Sequence, residues 1–197
     1  MPEVSRGVRR RRRALFLPCI LAALLAGCTA APPRDGVVAV RPQRATIAAF
    51  SFDGRIAVKQ DDSRHSGNIA WQHKADADAI LLTTPLGQGV AQIERDARGA
   101  RLTGADREVL EAADWEGLSA RVFGVALPLS GLPRWLLGDV APTGRDAQGR
   151  PQTALADGWE VRYLDYESDA PGALPVLMEF RRGDIELRLK IDAWVLE

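Results

Sequence analysis

Histidine and cysteine are scarce in this 197-residue chain, with two of each. The histidines, His65 and His73, fall eight residues apart on one predicted strand. At ~3.3 Å per residue that is about 26 Å, too far for one metal ion. Of the cysteines, Cys19 lies inside an N-terminal apolar run and Cys28 ends it, so the chain beyond Cys28 has no internal disulfide and must be held by its apolar core. No G-x-S-x-G, Walker A or dinucleotide fingerprint occurs. The acidic pairs Asp61/Asp62 and Asp76/Asp78 fall at predicted turns, where solvated carboxylates are the default. No apolar run reaches the ~20 residues of a membrane span; Ala14 to Ala26 is the longest, at 13 residues. With no catalytic constellation, no metal site and no cofactor motif, the expectation is a protein that is not an enzyme and that holds or moves something apolar.

The N-terminus is better defined. Arg9 to Arg13 form an unbroken basic run, the apolar run follows, and Leu25-Ala26-Gly27-Cys28 closes it. A positive start, an apolar middle and small residues before a cleavage point make an export signal; the expected route is the general secretory one, with the twin-arginine route, whose flanking pattern is absent, as the alternative. The ending resembles the lipobox of bacterial lipoprotein signals, which implies that Cys28 is acylated and becomes the new N-terminus. An ordinary secretory signal and an uncleaved anchor are the alternatives. Thr29 follows where, in that class, an Asp retains the protein at the inner membrane, so the resemblance implies outward sorting. The expected organisation is a cleaved signal over 1–27, a lipidated Cys and flexible tether over 28–44 (Pro32, Pro33 and Pro42), and one domain over 45–197. The full chain balances 26 basic against 26 acidic residues; without the six arginines and Glu3 of the signal, 20 face 25, a net charge of −5. An acidic domain argues against nucleic acid and against a basic lipid-binding patch.

From Phe50 the pattern has period two. Phe52, Ile56 and Val58 alternate with Asp53, Arg55 and Lys59, with Gly54 a bend or bulge; strands follow near 65–73, 78–84, 89–95, 100–103 and 107–111. Even spacing and short turns predict an antiparallel meander. Asp114 is placed to cap a helix through Phe123, stopped by Gly124, with Leu118, Val122 and Phe123 on one face. After Pro128, Ser130 is placed to cap a second helix carrying Leu132, Trp135 and Leu136 and ended by Gly138. Ala141 to Ala156 reads as loop. Three more strands run through Trp159 to Tyr163, Val176 to Phe180 and Ile185 to Ile191, with an acidic loop over 167–174. Arg182-Gly183-Asp184 reads as a hairpin turn.

The segment Ile80-Leu81-Leu82-Thr83-Thr84-Pro85-Leu86-Gly87, with Gly54-Arg55, Trp71, Trp135-Leu136-Leu137-Gly138, Gly158-Trp159 and Tyr163, Leu174-Pro175 and the closing strand to Trp194, resembles the LolB family. These are outer-membrane receptors that accept lipoproteins from the periplasmic carrier LolA and insert them into the outer membrane. The resemblance covers nearly all of the mature domain. It implies a mainly β fold with a few helices, an incomplete antiparallel β-barrel with a helical lid over an apolar cavity. It implies a monomer with a LolA-like carrier, acylated lipoprotein cargo and outer-membrane phospholipid as partners, lipid-anchored and facing the periplasm. The alternatives are a lipocalin-like carrier of a free hydrophobic ligand and a structural lipoprotein with a solid core.

The inward faces expected from the alternation are Phe52, Ile56, Val58, Ile69, Trp71, Ile80, Leu82, Val161, Met178, Phe180, Leu187 and Leu189, with Trp135 on the second helix. Taken singly, each is accounted for by plain core packing; together they can line an acyl-chain cavity. Leu86 differs. Between Pro85 and Gly87 at a hairpin tip, a large apolar residue has no local reason to be, unless it folds back onto its own sheet. By the resemblance, Pro85, Leu86 and Gly87 form a membrane-insertion loop.

Overall fold

The structure is a computed structural model and describes residues 41–123 and 129–197. Cys28, the signal and most of the tether, the helix stop at Gly124 and the separator Pro128 lie outside the described residues.

Among these residues eleven strands form one antiparallel sheet. In chain order they are β1 (Ala49–Gln60), β2 (Ser63–Lys74), β3 (Ala77–Thr83), β4 (Gly89–Asp96), β5 (Gly99–Gly104), β6 (Val109–Ala112), β7 (Pro142–Arg145), β8 (Pro151–Ala156), β9 (Trp159–Tyr166), β10 (Pro175–Arg182) and β11 (Ile185–Leu196). Their order across the sheet is β6-β5-β4-β3-β2-β1-β11-β10-β9-β8-β7. The first and last strands therefore pair at its centre, and β6 and β7 are its two edges. The sheet is open, as an incomplete barrel must be.

Helix α1 (Trp115–Phe123), a 3-10 turn (Leu129–Gly131) and helix α2 (Leu132–Leu137) connect the two edges. The Asp114 carboxylate accepts the Gly117 N–H at 2.7 Å, the cap that starts α1. Trp115 and Leu118 of α1 are buried, whereas Val122 is exposed. Ser130 does not cap α2; it sits in the 3-10 turn, and its hydroxyl donates to Glu116 Oε1 at 2.8 Å, tying the two helical segments together. Gly138 ends α2 in the left-handed conformation (φ 73°).

Residues 141–156 are not a loop but the hairpin β7–β8, so five strands follow the helices, not three. Pro142 and Pro151 each open their strand, and β7 is an edge, where a missing N–H interrupts no ladder. Gly54 is the expected bulge: the register with β11 shifts between Asp53 and Gly54, and a Cβ there would stand 2.3 Å from the Lys190 carbonyl oxygen. Antiparallel order places the turns at 61–62, 84–88, 105–108, 157–158 and 183–184 at one end of the sheet, and those at 75–76, 97–98 and 146–150 at the other.

Candidate functional site

Strand register turns the alternating sequence into rows of apolar side chains on one face. One row runs Leu110, Leu102, Ile93, Ile80, Trp71, Phe52, Trp194. Another joins Leu82, Ile69, Gly54 and Ile191, a third Ile56, Leu189, Met178 and Tyr163, and a fourth Val58, Leu187, Phe180, Val161 and Ala154. Every inward candidate from the strands belongs to one of these rows. Phe52, Ile69, Trp71, Ile80, Val161, Met178, Phe180 and Leu189 are buried, as is Trp135; Ile56, Val58, Leu82 and Leu187 are half-buried. The half-buried set lies toward the end that carries the 84–88 loop.

This face is filled. Phe50, Phe52, Trp71 and Trp194 cluster with ring centroids 5.3–6.3 Å apart, Trp194 edge-on to both phenylalanines. Buried Pro133, Trp135, Leu136 and Leu137 of α2 pack against β10 and the 3-10 turn Arg44–Thr46. The Tyr163 hydroxyl donates to the Trp135 carbonyl at 2.8 Å; burial pushes its pKa up, so it remains a donor at physiological pH. Two hollows on the surface, about 770 and 430 Å³, are lined by other residues: Asp78, Arg95 and Arg121 among those of the first, Arg41, Arg44 and Arg145 among those of the second. None of the cavity candidates lines either. The expected lid over an open apolar cavity is thus not what the structure presents: aromatic rings and α2 occupy the inner face.

Asp78 overturns one expectation outright. It is not a solvated turn acid but fully buried, with Oδ1 accepting from Trp71 Nε1 (2.9 Å) and bonded to His73 Nδ1 (2.7 Å), and Oδ2 accepting from Arg95 (2.7 Å). Burial pushes its pKa up, but the hydrogen bonds from His73, Trp71 and Arg95 outweigh that and hold it below the ordinary carboxyl range. The signal was available: Asp78 shares the parity of Ile80 and Leu82. Phe50, Trp159, Ile191 and Trp194 are further buried residues of this face that the candidate set omitted. Within the stretch expected to be tether, Arg41 makes a two-pronged pair with Glu167 (2.8 and 2.7 Å), and Arg44 donates to the Ala173 carbonyl.

The 84–88 loop is tightly made. Gly87 N–H donates to the Thr84 carbonyl (2.9 Å), Thr84 N–H to that of Gln88 (2.8 Å), and Asn68 Nδ2 to that of Thr84 (3.1 Å). Gly87 has φ 85°, which glycine adopts without strain. Leu86 is 90% exposed, so it does not fold back onto the sheet.

An open antiparallel sheet with one continuously apolar face, helices laid on that face and an apolar loop tip defines a class of proteins built to bury apolar groups. Known proteins narrow this. The family described as outer membrane lipoprotein LolB matches residues 48–194. The outer-membrane lipoprotein LolB of Dechloromonas aromatica is 38% identical over 191 residues, spanning 92% of this chain and 97% of that one; that of Azoarcus sp. is 35% identical over 94% and 97%. The crystal structure of a LolA superfamily protein from Nitrosomonas europaea overlaps 77% of this chain and 87% of its own, with a TM-score of 0.46 and 11% identity. The chain belongs to the outer membrane lipoprotein LolB family. That family's part in lipoprotein localisation is that of an outer-membrane receptor.

Proposed function

We propose that this chain, acylated at Cys28 and hung from the outer membrane by residues 28–44, takes acylated lipoproteins from a LolA-like periplasmic carrier and passes them into the bilayer. Residues 1–27 are the signal removed on export. The observation that carries the reading is the apolar face that crosses the sheet from β6 to β8, half-buried at Ile56, Val58, Leu82 and Leu187. An acyl chain of about fifteen methylenes, at ~0.8 kcal/mol each, costs ~12 kcal/mol to leave in water, so cargo must move from one apolar surface to the next. Transfer then runs down differences in affinity among carrier, receptor and membrane.

α1 packs against β5 and β6 and α2 against β10; on this reading cargo entry displaces the helices, which act as the lid, and the half-buried residues are where the chains first meet the protein. Pro85, Leu86 and Gly87 form the loop that meets phospholipid at delivery. The test is a two-stage transfer assay, from carrier loaded with labelled lipoprotein to this protein, and from this protein to phospholipid vesicles. Cargo that stays on the carrier, alongside tight binding of a free fatty acid, would replace this reading with that of a small-ligand carrier.

A further inference from the structure

The opposite, outward face of β9, β10, β11, β1 and β2 carries an uneven distribution of charge. At its centre Glu179 sits with its side chain only 9% exposed. Three guanidinium groups from neighbouring positions surround it: Arg162 at 3.1 Å, Arg181 at 3.3 Å and Arg188 at 3.7 Å. Those arginine side chains are 39–54% exposed, so the carboxylate lies beneath and the cations face water. Arg181 also reaches Glu186 at 3.5 Å, which offsets part of one charge. The register continues the patch: Lys190 lies opposite Arg55, and Lys59 opposite Arg64, on the same face. Lys59, Arg64 and Lys190 have no ion-pair partner among the described residues, whereas Arg55 is paired with Asp192. On this face seven bases (Arg55, Lys59, Arg64, Arg162, Arg181, Arg188 and Lys190) stand against five acids (Asp53, Glu160, Glu179, Glu186 and Asp192), with Glu186 opposite Lys59 and Glu160 opposite Arg181. A chain with a net charge of −5 after its signal thus turns outward a surface with a small excess of cations, and Glu179 is the acid that lies beneath them.

We propose that this face is a docking surface for the anionic phospholipid headgroups of the membrane that anchors the chain. The proposal rests on the anchoring at Cys28 argued above. The twelve residues 29–40 extend at most about 40 Å, so the bilayer is always within reach and a weak attraction suffices. The patch lies on one face of five neighbouring strands, so its cations are presented together to one surface. Its Arg64 lies on β2 toward the same end as Leu86, so headgroup contact and tip insertion are neighbouring contacts with one surface. A basic residue near an anionic leaflet contributes about five-fold to membrane association, and this contribution decays within a Debye length.

The chain's only lysines, Lys59, Lys74 and Lys190, make the test direct. Two lie in the patch; Lys74, at the opposite end of β2 and paired with Glu197, is the internal reference. The full lipidated chain is placed in vesicles of phosphatidylcholine, with or without phosphatidylglycerol, and the rate of lysine acetylation is read site by site. Phosphatidylglycerol should slow Lys59 and Lys190 about five-fold or more while leaving Lys74 unchanged, and high salt should abolish the difference. Arg64→Gln and Arg188→Gln should weaken the protection, and Arg188→Lys should keep it. Equal rates in both vesicles, or protection that survives both Gln variants, would overturn the proposal. So would protection produced by the carrier alone without vesicles, which would mean an acidic protein surface. Leu86→Glu in the same assay separates the two readings: it leaves headgroup protection intact if the patch acts by itself, whatever happens to delivery.

Discussion

Replacing Leu86 with Glu isolates the delivery step. The side chain is 90% exposed, so almost all of its surface remains to be transferred on contact with a bilayer. A leucine moving from water to apolar surroundings gains about 1.5–3 kcal/mol, which is roughly 10- to 150-fold in the membrane-engaged population. A glutamate recovers none of this and stays in water. Because the loop's hydrogen bonds are made by Thr84, Gly87, Gln88 and Asn68, and not by Leu86, folding stability should change by less than about 0.5 kcal/mol. The expected result of the two-stage assay is normal uptake of lipoprotein from the carrier and deposition in vesicles slowed by roughly 10-fold or more. Leu86→Phe should deposit normally, since hydrophobicity and not shape is what the step uses. Wild-type deposition by Leu86→Glu, or a collapse of its thermal melt, would refute the reasoning.

Trp135→Ala should cost about 3–5 kcal/mol in a urea melt, because the ring is 7% exposed and packed within the core; cargo uptake falling no further than that destabilisation predicts would leave the residue a structural role alone. Asp78→Asn should cost about 2–3 kcal/mol, since it removes the buried charge and turns one of the two acceptor oxygens into an NH2 donor, leaving either Arg95 or the Trp71 and His73 pair facing a donor, with Arg95 keeping partial access to water. The Asp78 carboxyl is held below the ordinary carboxyl range in the folded protein, so its stabilisation is fully present above the unfolded-state pKa and lost as pH falls through the lower folded-state one; acid titration of stability should be flatter for Asp78→Asn, and an unchanged acid limb would contradict this. Cys28→Ala should abolish both acylation and signal removal, read by labelled palmitate and by mass, and label on the variant would defeat the assignment of the anchor.

The chain alone decided which segments are strands wherever alternation is unbroken. Phe52, Ile56 and Val58 in β1, and Leu187, Leu189 and Ile191 in β11, declare a dry side because a strand's side chains alternate by geometry. It also decided the helix start at Asp114, the stop at Gly138 and the bulge at Gly54, each set by one residue's own chemistry. Local patterning was not enough at 142–156, where proline and glycine read as loop until an edge position made them harmless in a hairpin. Nor could it show that Asp78 is buried, because its three donors come from β2 and β4 and meet it only in register. Whether the apolar face stands open or filled was likewise undecided by the sequence, since alternation gives a side chain's direction and not what packs against it. Net charge misled for the same reason. Summed along the chain it is negative, but the pairing of β9, β10 and β11 sinks Glu179 and gathers Arg162, Arg181 and Arg188 over it. Charge density on a surface depends on which strands are neighbours, and only the tertiary structure fixes that.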